Sequence, residues 1–216
     1  MTKHEEWTQW LQAEMRTPAV KEMIKSAEAV NRKNILSPCR DYWFSSLQFD
    51  DYEKIHTIIT ADRPYYEEFA SDGLAYSSID DADWAMNKLY AKLYKDLGIT
   101  YDTYDNNKER WKEQGILLLP IELTTLSGNP SYKMNLWRPF TEKVLNYFLR
   151  DSQQRAFLLF DQYSRYYMPN LFRGREDDNH LVIQNDIRYP SFMQGDIFNR
   201  VNAFVQEHYN IKIDWS

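Results

Sequence analysis

The sequence predicts an α/β protein in which helices cover both faces of a parallel sheet. Four short segments rich in apolar or β-branched residues are bounded by polar or turn-forming residues, which is typical of buried strands. They span 55–60, 116–120, 156–160 and 180–184. Segments with apolar residues at helical spacing lie before, between and after them. Strands that alternate with helices favour a parallel sheet, because each crossover returns the chain to the same end.

The most informative segment is WKEQGILLLPIELTT, residues 111–125. Its apolar run, Ile116 to Pro120, follows Gly115 and is closed by polar residues, so we expect a strand buried on both faces. In open α/β sheets, ligands bind beyond the carboxyl ends of the strands. A site is therefore expected near Pro120, whose side chain offers no hydrogen-bonding group.

Helical spacing of apolar residues predicts two helices over 5–33, divided at Pro18, which cannot continue a helix interior. A further helix is expected over 83–97, with Gly98 as its stop. A short charged helix over 106–113 leads into the central strand, and two more helices are predicted over 140–150 and 198–208. No repeat or low-complexity linker divides the chain, so we expect one domain over 1–216.

Composition excludes several classes of protein. The formal net charge of −6 argues against a surface that coats nucleic acid broadly, although it leaves room for a local basic cleft. The single cysteine, Cys39, excludes a disulfide framework and fits a reducing compartment. No apolar run approaches the roughly 20 residues of a membrane helix, and no secretory signal is evident. We therefore expect a cytoplasmic protein without a membrane partner.

Motifs for metal and phosphate chemistry are absent from the sequence. It contains six glycines without a Gly-rich phosphate loop, and its four histidines are scattered without metal-ligand spacing. We expect neither a metal nor a cofactor. The 16 tyrosines and seven tryptophans suit either base stacking and interfaces or an aromatic core, and both interpretations remain open.

The order of these pieces resembles the family-1 uracil-DNA glycosylases from about Trp7 to Trp215. The most specific match is WKEQGILLLPIELTT, which is similar to the family's Trp-x-x-Gln-Gly-Val-Leu-Leu-Leu-Asn strand and the Leu-Thr after it. Upstream, ITADRPYYEEFASDGLAYSS resembles the water-activating loop Gly-Gln-Asp-Pro-Tyr-His and the Gly-Leu-x-Phe-Ser that follows. Downstream, AFLLFDQYS resembles the strand that ends in Trp-Gly, and LVIQNDIRYP resembles the segment that carries His-Pro-Ser-Pro.

This resemblance implies a three-layer α/β/α sandwich around a four-stranded parallel sheet, with a base-sized pocket at the carboxyl ends of the strands. Members of the family flip uracil out of DNA and hydrolyse its glycosidic bond without a metal. A carboxylate positions water and stabilises the cationic sugar, and a neutral histidine donates to the leaving uracil. An asparagine reads the base, an aromatic ring stacks on it, and a tyrosine excludes the thymine methyl.

According to the resemblance, this chain keeps the aromatic residues of the family's site but not its polar ones. The stacking ring falls on Tyr76, and the methyl-blocking tyrosine falls on Tyr65, which follows Pro64. The three polar roles fall on residues that lack the chemistry. The catalytic aspartate corresponds to Arg63, the reading asparagine to Pro120 and the catalytic histidine to Ile187.

If the correspondence with the family is shifted by one residue, a carboxylate falls at the position of the catalytic aspartate and another at that of the catalytic histidine. Asp62 precedes Arg63, and Asp186 precedes Ile187. Neighbouring residues in an extended chain point in opposite directions, so such a shift needs a bulge. Asp62 therefore has two interpretations, a water-positioning base or a turn residue that caps its own backbone.

DNA contacts are expected after the strands. The phosphate-gripping Gly-Ser of the family becomes Asp161-Gln162, in which the aspartate would repel phosphate. The loop after Pro190 is shorter than the family's intercalating loop, and Phe192 and Met193 are its candidate wedges. The remaining candidate DNA contacts are polar, namely Ser77, Gln162, Arg188 and Ser191.

Three functions remain open. In the first interpretation, the chain is a glycosylase-fold protein that has lost ordinary uracil excision and binds DNA or a protein partner. Alternatively, it acts on a modified base with a rebuilt polar set of Asp62, Arg63, Asp186 and Arg188. In the third interpretation it is a protein-interaction module that does not bind DNA. A basic rim around the pocket would favour the first two, and its candidates are Arg63, Arg165, Arg173, Arg175, Arg188 and Arg200.

Overall fold

A four-stranded parallel sheet forms the centre of the protein. The computed structural model describes residues 1–32, 35–67, 69–80, 82–100, 106, 108–129, 135–162 and 180–216. The sheet consists of β2 (Thr57–Ala61), β3 (Ile116–Pro120), β5 (Ala156–Leu159) and β6 (Leu181–Gln184), in the order β3-β2-β5-β6. A separate antiparallel pair joins β1 (Leu36–Ser37) to β4 (Thr125–Leu126).

Six α-helices surround the sheet in the described part of the chain. They are α1 (Lys3–Arg16), α2 (Pro18–Asn31), α3 (Trp84–Leu97), α4 (Glu109–Glu113), α5 (Arg138–Arg150) and α6 (Phe198–Tyr209). Pro18 begins α2, as predicted, because the first turn of a helix does not need its missing N–H. Gly98 ends α3 in the left-handed conformation at φ 71°. No helix among the described residues is long and apolar enough to cross a membrane.

The two faces of the sheet carry separate apolar cores. Ile58, Leu117 and Phe157 point to one face, where they pack in a cluster that includes residues of α1, α2 and α5. Their neighbours Ile59 and Leu118 point to the other face, where the cluster includes residues of α3, α4 and α6. Alternation of side chains along each strand divides the core in this way. The predicted three-layer α/β/α sandwich is confirmed.

The β1–β4 pair was not anticipated from the sequence. Leu36 pairs with Leu126 and Ser37 with Thr125. Two residues are too few to show an alternating pattern, so no sequence signal marked this pair. The charged helix predicted over 106–113 is also shorter than expected, since α4 begins at Glu109. Every residue of β3 is buried, as the apolar run predicted.

The strand order places a topological switch point between β2 and β5. From β2 the chain proceeds to β3 on one side, and β5 then pairs with β2 on the other side. The connections on the two sides leave a crevice beyond the carboxyl ends of β2 and β5, which is where open α/β sheets bind ligands. The fold therefore locates its candidate site at Asp62 and Asp161.

Gly115 leads into β3 through a turn that requires glycine. Its φ is +96°, and a Cβ at this position would lie 2.2 Å from the carbonyl oxygen of Lys54. The carbonyl oxygen of Gly115 also accepts a hydrogen bond from the amide of His56 at 3.1 Å. The close approach of two backbone segments therefore fixes where β3 starts beside β2.

We predict that Gly115→Ala destabilises the protein more than Gly98→Ala. Gly98 also has positive φ, but a Cβ there would meet nothing within 4 Å. Gly98→Ala should therefore cost only the left-handed backbone penalty of about 1–2 kcal/mol. Gly115→Ala should lose about 1–3 kcal/mol more, because the chain must move away from the Lys54 carbonyl. Urea unfolding measures the free energy of unfolding of both variants. Equal decreases in this free energy would contradict the steric argument.

Candidate functional site

A cavity of about 920 Å³ opens beyond the carboxyl ends of the parallel strands. Each strand contributes to its wall through the residues that follow it. Asp62 follows β2, Ile121 follows β3, Asp161 lies beyond β5 and Ile187 lies beyond β6. The volume is near the upper end of the roughly 300–1,000 Å³ of ligand pockets. The cavity therefore has room for more than a bare nucleobase.

The switch point is closed by a hydrogen bond between side chains of neighbouring strands. The Thr60 hydroxyl donates to Asp161 Oδ2 at 2.5 Å, and both residues are buried. A carboxylate in this position keeps the ends of β2 and β5 together at the floor of the site. It also places negative charge where the resemblance implied a phosphate contact.

Most of the residues predicted for the site line this cavity. They are Asp62, Arg63, Pro64, Tyr65, Tyr76, Ser77, Gln162, Ile187 and Arg188. The structure thus brings together residues from four separate segments of sequence. Asp186 lies behind this wall, where it is fully buried beneath Arg188. Pro120, which was expected in the base pocket, ends β3 opposite Ala61 and does not itself line the cavity, whereas its neighbour Ile121 does.

Arg63 places a guanidinium group in the wall of the cavity. Its Nη1 donates to the carbonyl oxygen of Pro64 at 3.1 Å, and its charge lies 5.3 Å from the centre of the Tyr66 ring. Burial lowers the pKa of Arg63, and the carboxylates of Asp83 and Asp62 oppose that shift. The group is thus held by neighbouring carboxylates and an aromatic face at the position where the resemblance implied a catalytic aspartate.

Tyr76 provides an aromatic wall in an unusual backbone conformation. Its φ is +57°, a left-handed value that costs a bulky residue of the order of 1–3 kcal/mol. Burial raises the pKa of its phenol well above the usual value, and the nearby carboxylates of Asp161, Asp62, Asp83 and Asp186 add to that shift. Tyr76 therefore remains a neutral ring among negative charges. The Tyr65 phenol, whose pKa burial raises to about 12, is neutral as well.

Arg188 is fixed by the buried carboxylate of Asp186. Its Nε donates to Oδ1 at 2.9 Å, and its Nη2 contacts Oδ2. Its Nη1 reaches across to the Gln162 side chain at 2.8 Å. The hydrogen bonds with Asp186 raise the pKa of Arg188. Asp186 is therefore committed to orienting Arg188, and the group that faces the cavity is the guanidinium.

Pro120, the last residue of β3, and Ile187, the third residue after β6, are apolar. Ile187 is only 5% exposed, and its amide donates to the Phe160 carbonyl at 2.9 Å. Pro120 is buried and has no side-chain polar group. Neither residue supplies a hydrogen bond to a ligand through its side chain. The two roles that the resemblance implies for a histidine and an asparagine therefore have no side-chain counterpart at these positions.

Two predicted DNA contacts are corrected by the structure. Phe192 is fully buried, and its ring packs edge-on against Phe160, so it belongs to the core and is not exposed as a wedge. Ser77 is also fully buried, and its hydroxyl donates to Asp72 at 2.5 Å and accepts from the amide of Lys108 at 2.9 Å. The sequence pattern could not separate these residues from exposed ones, because neither lies in a segment long enough to show a periodic pattern.

The other two predicted contacts of the loop after β6 remain near the surface. Ser191 is exposed, and its hydroxyl donates to Asn185 Oδ1 at 3.1 Å. Met193 is half-buried, and its carbonyl accepts a hydrogen bond from the Lys95 side chain. Met193 is therefore the remaining candidate for a wedge.

Sequence reasoning missed Glu122 and Arg138, which line the cavity on the β3 side. Glu122 is 5% exposed, and its Oε2 accepts from the amides of Leu136 and Trp137 at 2.8 and 2.9 Å. Its other oxygen lies 4.0 Å from Arg138 Nε. Burial raises the pKa of Glu122, and the hydrogen bonds from the two amides oppose the shift. The one acid in the otherwise apolar and hydroxylic run 116–125 was the available signal.

A second missed pair, Asp83 and Trp84, lines the opposite wall at the start of α3. Asp83 caps the helix by accepting from the amide of Met86 at 2.9 Å. Trp84 is 56% exposed even though it borders the cavity. The sequence placed Trp84 on the apolar stripe of this helix, and only the tertiary structure shows that it is exposed beside the cavity.

The described wall of the cavity is not basic overall, so the charge criterion taken from the sequence does not favour the two functions that involve DNA over a protein-interaction module. It contains four acidic residues, namely Asp62, Asp83, Glu122 and Asp161, and three arginines, namely Arg63, Arg138 and Arg188. Of the other predicted rim residues, Arg200 is exposed on α6, and Arg165, Arg173 and Arg175 lie outside the described residues. Within the described residues no group of three or more histidine, cysteine or acidic side chains is arranged to hold a metal.

The chain is similar to uracil-DNA glycosylases in sequence and in fold. The chain is 24% identical to the uracil-DNA glycosylase of Azobacteroides pseudotrichonymphae over 220 residues, which cover 97% of this chain and 96% of that protein. It is 26% identical to uracil-DNA glycosylase 2 of Streptomyces avermitilis, with 98% and 94% covered. The crystal structure of mimivirus uracil-DNA glycosylase matches with a TM-score of 0.83 at 15% identity, covering 98% of this chain and 86% of that chain. No family model matches the chain.

We predict that Arg188→Ala destabilises the protein by about 1–3 kcal/mol, because it leaves the buried Asp186 carboxylate without its ion pair. The double variant Asp186→Asn, Arg188→Ala should recover part of this loss, since the buried charge is removed. Arg40→Ala is the matched control. It breaks an arginine–carboxylate pair with Glu28 in which the side chains are 64% and 37% exposed, so it should cost about 0–1 kcal/mol. If urea unfolding shows that Arg188→Ala and Arg40→Ala lower the free energy of unfolding equally, Arg188 does not stabilise the buried Asp186 carboxylate as described.

Proposed function

Since the chain is a member of the uracil-DNA glycosylase superfamily, we propose that it binds DNA and takes one base into its cavity without ordinary uracil excision. The scaffold that presents such a cavity is complete in the described residues. The side chains at the three polar positions have changed. The proposed role is therefore recognition of a base in DNA, with the chemistry of the relatives removed or replaced.

The presence of Arg63 in the cavity wall carries this proposal. Cleavage of a glycosidic bond passes through a sugar with cationic character, which a nearby carboxylate stabilises. A guanidinium at that position would oppose the developing charge. Ile187, at the position of the electrophile, cannot donate to the departing base. Loss of a single such donor typically costs about 3 kcal/mol of transition-state stabilisation.

The aromatic parts of the cavity support retention of base binding. Tyr76 lines the cavity as a neutral ring at the position of the stacking residue, and Tyr65 lines it at the position of the methyl-blocking tyrosine. Base–aromatic stacking contributes about 1–3 kcal/mol per base and tolerates different bases. The protein therefore retains affinity for a flipped base although Pro120 stands where the resemblance implies a base-reading asparagine.

We predict that the protein releases uracil from single-stranded uracil DNA at least about 100-fold more slowly than the Streptomyces relative under the same conditions. The triple variant Arg63→Asp, Pro120→Asn, Ile187→His should raise the rate, because it restores a carboxylate, a reader and a donor together. Free uracil is measured by chromatography. Release by the wild-type protein at a rate close to that of the relative would overturn the proposed loss of excision.

Binding to the same oligonucleotide is measured in parallel by fluorescence anisotropy at several salt concentrations. Phosphate contacts release counterions, so the affinity should fall linearly with salt on a double-logarithmic plot. A clear slope together with absent excision is the expected outcome. Absence of binding at low salt would instead favour the alternative in which the protein is an interaction module for another protein.

A second candidate function is favoured by the carboxylates in the cavity. Asp62 lines it beside Arg63, and Asp161 lies at the end of the neighbouring strand. With Arg188 braced by Asp186, these residues form a polar set of both charges that an enzyme acting on a modified base would need. Asp62 is then the water-positioning base, and Arg63 binds an anionic or hydrogen-bonding substituent of the base.

We predict for this candidate that a panel of oligonucleotides with modified bases yields a product from at least one of them. The Asp62→Asn variant should lower that rate by about 10²–10⁴-fold with little change in affinity, because it removes a general base but keeps the shape of the side chain. Mass spectrometry of the oligonucleotides detects excision or modification. No product from any base in the panel would eliminate the candidate.

A further inference from the structure

We propose that the mouth of the cavity carries a second base-binding position, an aromatic lip formed by Trp84, Lys88 and Tyr189. The lip stacks on the nucleobase adjacent to the one in the cavity when the protein binds single-stranded DNA. This inference rests on the proposed DNA binding but adds a site, a ligand and a mode of contact that the resemblance does not supply.

Trp84 is the principal stacking surface of the lip. It borders the cavity, yet 56% of its surface is exposed. Its backbone is held at the first turn of α3, directly after the capping Asp83. Tryptophan is usually largely buried, so a half-exposed indole at the edge of a large cavity indicates a binding surface.

Lys88 holds the indole and connects it to the loop after β6. It lies one turn later on α3, and its ammonium group is 5.2 Å from the centre of the Trp84 ring. The same ammonium donates to the carbonyl oxygen of Tyr189 at 3.3 Å. A cation over one face of an indole limits its motion and leaves the opposite face for a ligand.

Tyr189 forms the other side of the lip, adjacent to Arg188. It is 42% exposed, and its amide donates to the carbonyl oxygen of Asp186 at 3.0 Å. Because Asp186 also binds the Arg188 guanidinium, the backbone of Tyr189 and the side chain of Arg188 are held by the same residue. The lip therefore combines two exposed aromatic residues with two cations beside the cavity.

The two sides of the lip are held at a fixed separation by lysines of α3. Lys92 is fully buried and donates to the carbonyl oxygen of Gly195 at 2.7 Å, and it also pairs with Asp96 at 2.6 Å. Lys95 donates to the carbonyl oxygen of Met193. Together with Lys88, these contacts attach residues 189–195 to the helix that carries Trp84. A binding surface that is ordered in advance loses less entropy when a ligand binds.

Single-stranded DNA matches this combination better than a duplex does. Proteins that bind single strands use aromatic side chains for successive bases and cations for the backbone between them. A base in the cavity leaves its neighbour at the mouth, where Trp84 and Tyr189 are exposed. In duplex DNA that neighbour is already stacked and paired, so an exposed indole has less to gain. The cavity and the lip are thus consecutive positions for two bases.

The test is the affinity of a short fluorescent single-stranded DNA for the full-length protein, measured by anisotropy. Trp84→Ala should weaken binding by about 5–150-fold, which corresponds to the loss of one stacked base. Trp84→Phe should retain most of the affinity. Tyr94→Ala is the matched control, since Tyr94 is 61% exposed on the same helix but does not line the cavity, and it should bind like the wild type. Thermal unfolding verifies that the three variants are folded.

A second measurement uses the indole itself. Wild-type tryptophan fluorescence should be quenched when DNA is added, and Trp84→Phe should lose most of that quenching, whether or not its affinity changes. The Trp84→Ala effect should be smaller for a duplex of the same sequence. RNA of the same sequence that binds more tightly than the DNA would overturn the assignment to DNA.

The outcomes separate the lip from the proposed function. Salt-dependent binding by the wild type with equal affinities for Trp84→Ala and Tyr94→Ala would overturn the lip and leave DNA binding in place. No binding by the wild type would overturn both. Weakened binding by Trp84→Ala alone, with loss of quenching in Trp84→Phe, supports both.

Discussion

The parallel pairing of β2 with β3 on one side and β5 on the other is the constraint on which the rest of the structure depends. Its register places Ala61 opposite Pro120 and Thr60 opposite Leu159, so the strands end at the same level. The segments that follow them therefore meet in one place. Arg63, Glu122 and Asp161 are far apart in sequence and share a cavity only because these strands are parallel and in this register.

The site built on this framework is unusual in its charges. Buried guanidinium and carboxylate groups are normally retained only in pairs, because an isolated charge in a protein interior is costly. Arg188 is paired with Asp186, Arg138 lies beside Glu122, and Arg63 lies near Asp62 and Asp83. The cavity thus holds both signs of charge at fixed positions. Such an arrangement selects ligands that present hydrogen-bond donors and acceptors in a matching order.

The fold of this protein is retained at low sequence identity to its relatives. The sequence identity to the two relatives compared is low, at 24% and 26%, yet the mimivirus structure matches with a TM-score of 0.83. A buried strand tolerates exchange among apolar residues of similar volume, so the sheet persists. Under the proposed function, Arg63, Pro120 and Ile187 change the chemistry of the site while the core is kept. Both proposals, the loss of ordinary excision and the second base position, concern residues at the cavity, whereas the buried sheet is kept.

Much of the framework was predictable from local patterns. The apolar run Ile116–Pro120, the break at Pro18 and the stop at Gly98 each report a physical preference that acts within a few residues, and the structure contains each of them. The order of motifs further predicted which segments would meet at the cavity. The β1–β4 pair was not predictable, because two residues carry no periodic signal.

The sequence by itself determined the α/β class, the apolar strands and the absence of polar side chains at Pro120 and Ile187. Only the tertiary structure decided how the polar residues are used. Phe192 and Ser77 are buried, whereas Trp84 borders the cavity with half of its surface exposed. Asp186 orients Arg188 from behind the cavity wall, and Glu122 reaches the wall from the β3 side. The physical reason is that backbone preferences are local, whereas burial and charge pairing depend on contacts between residues distant in sequence.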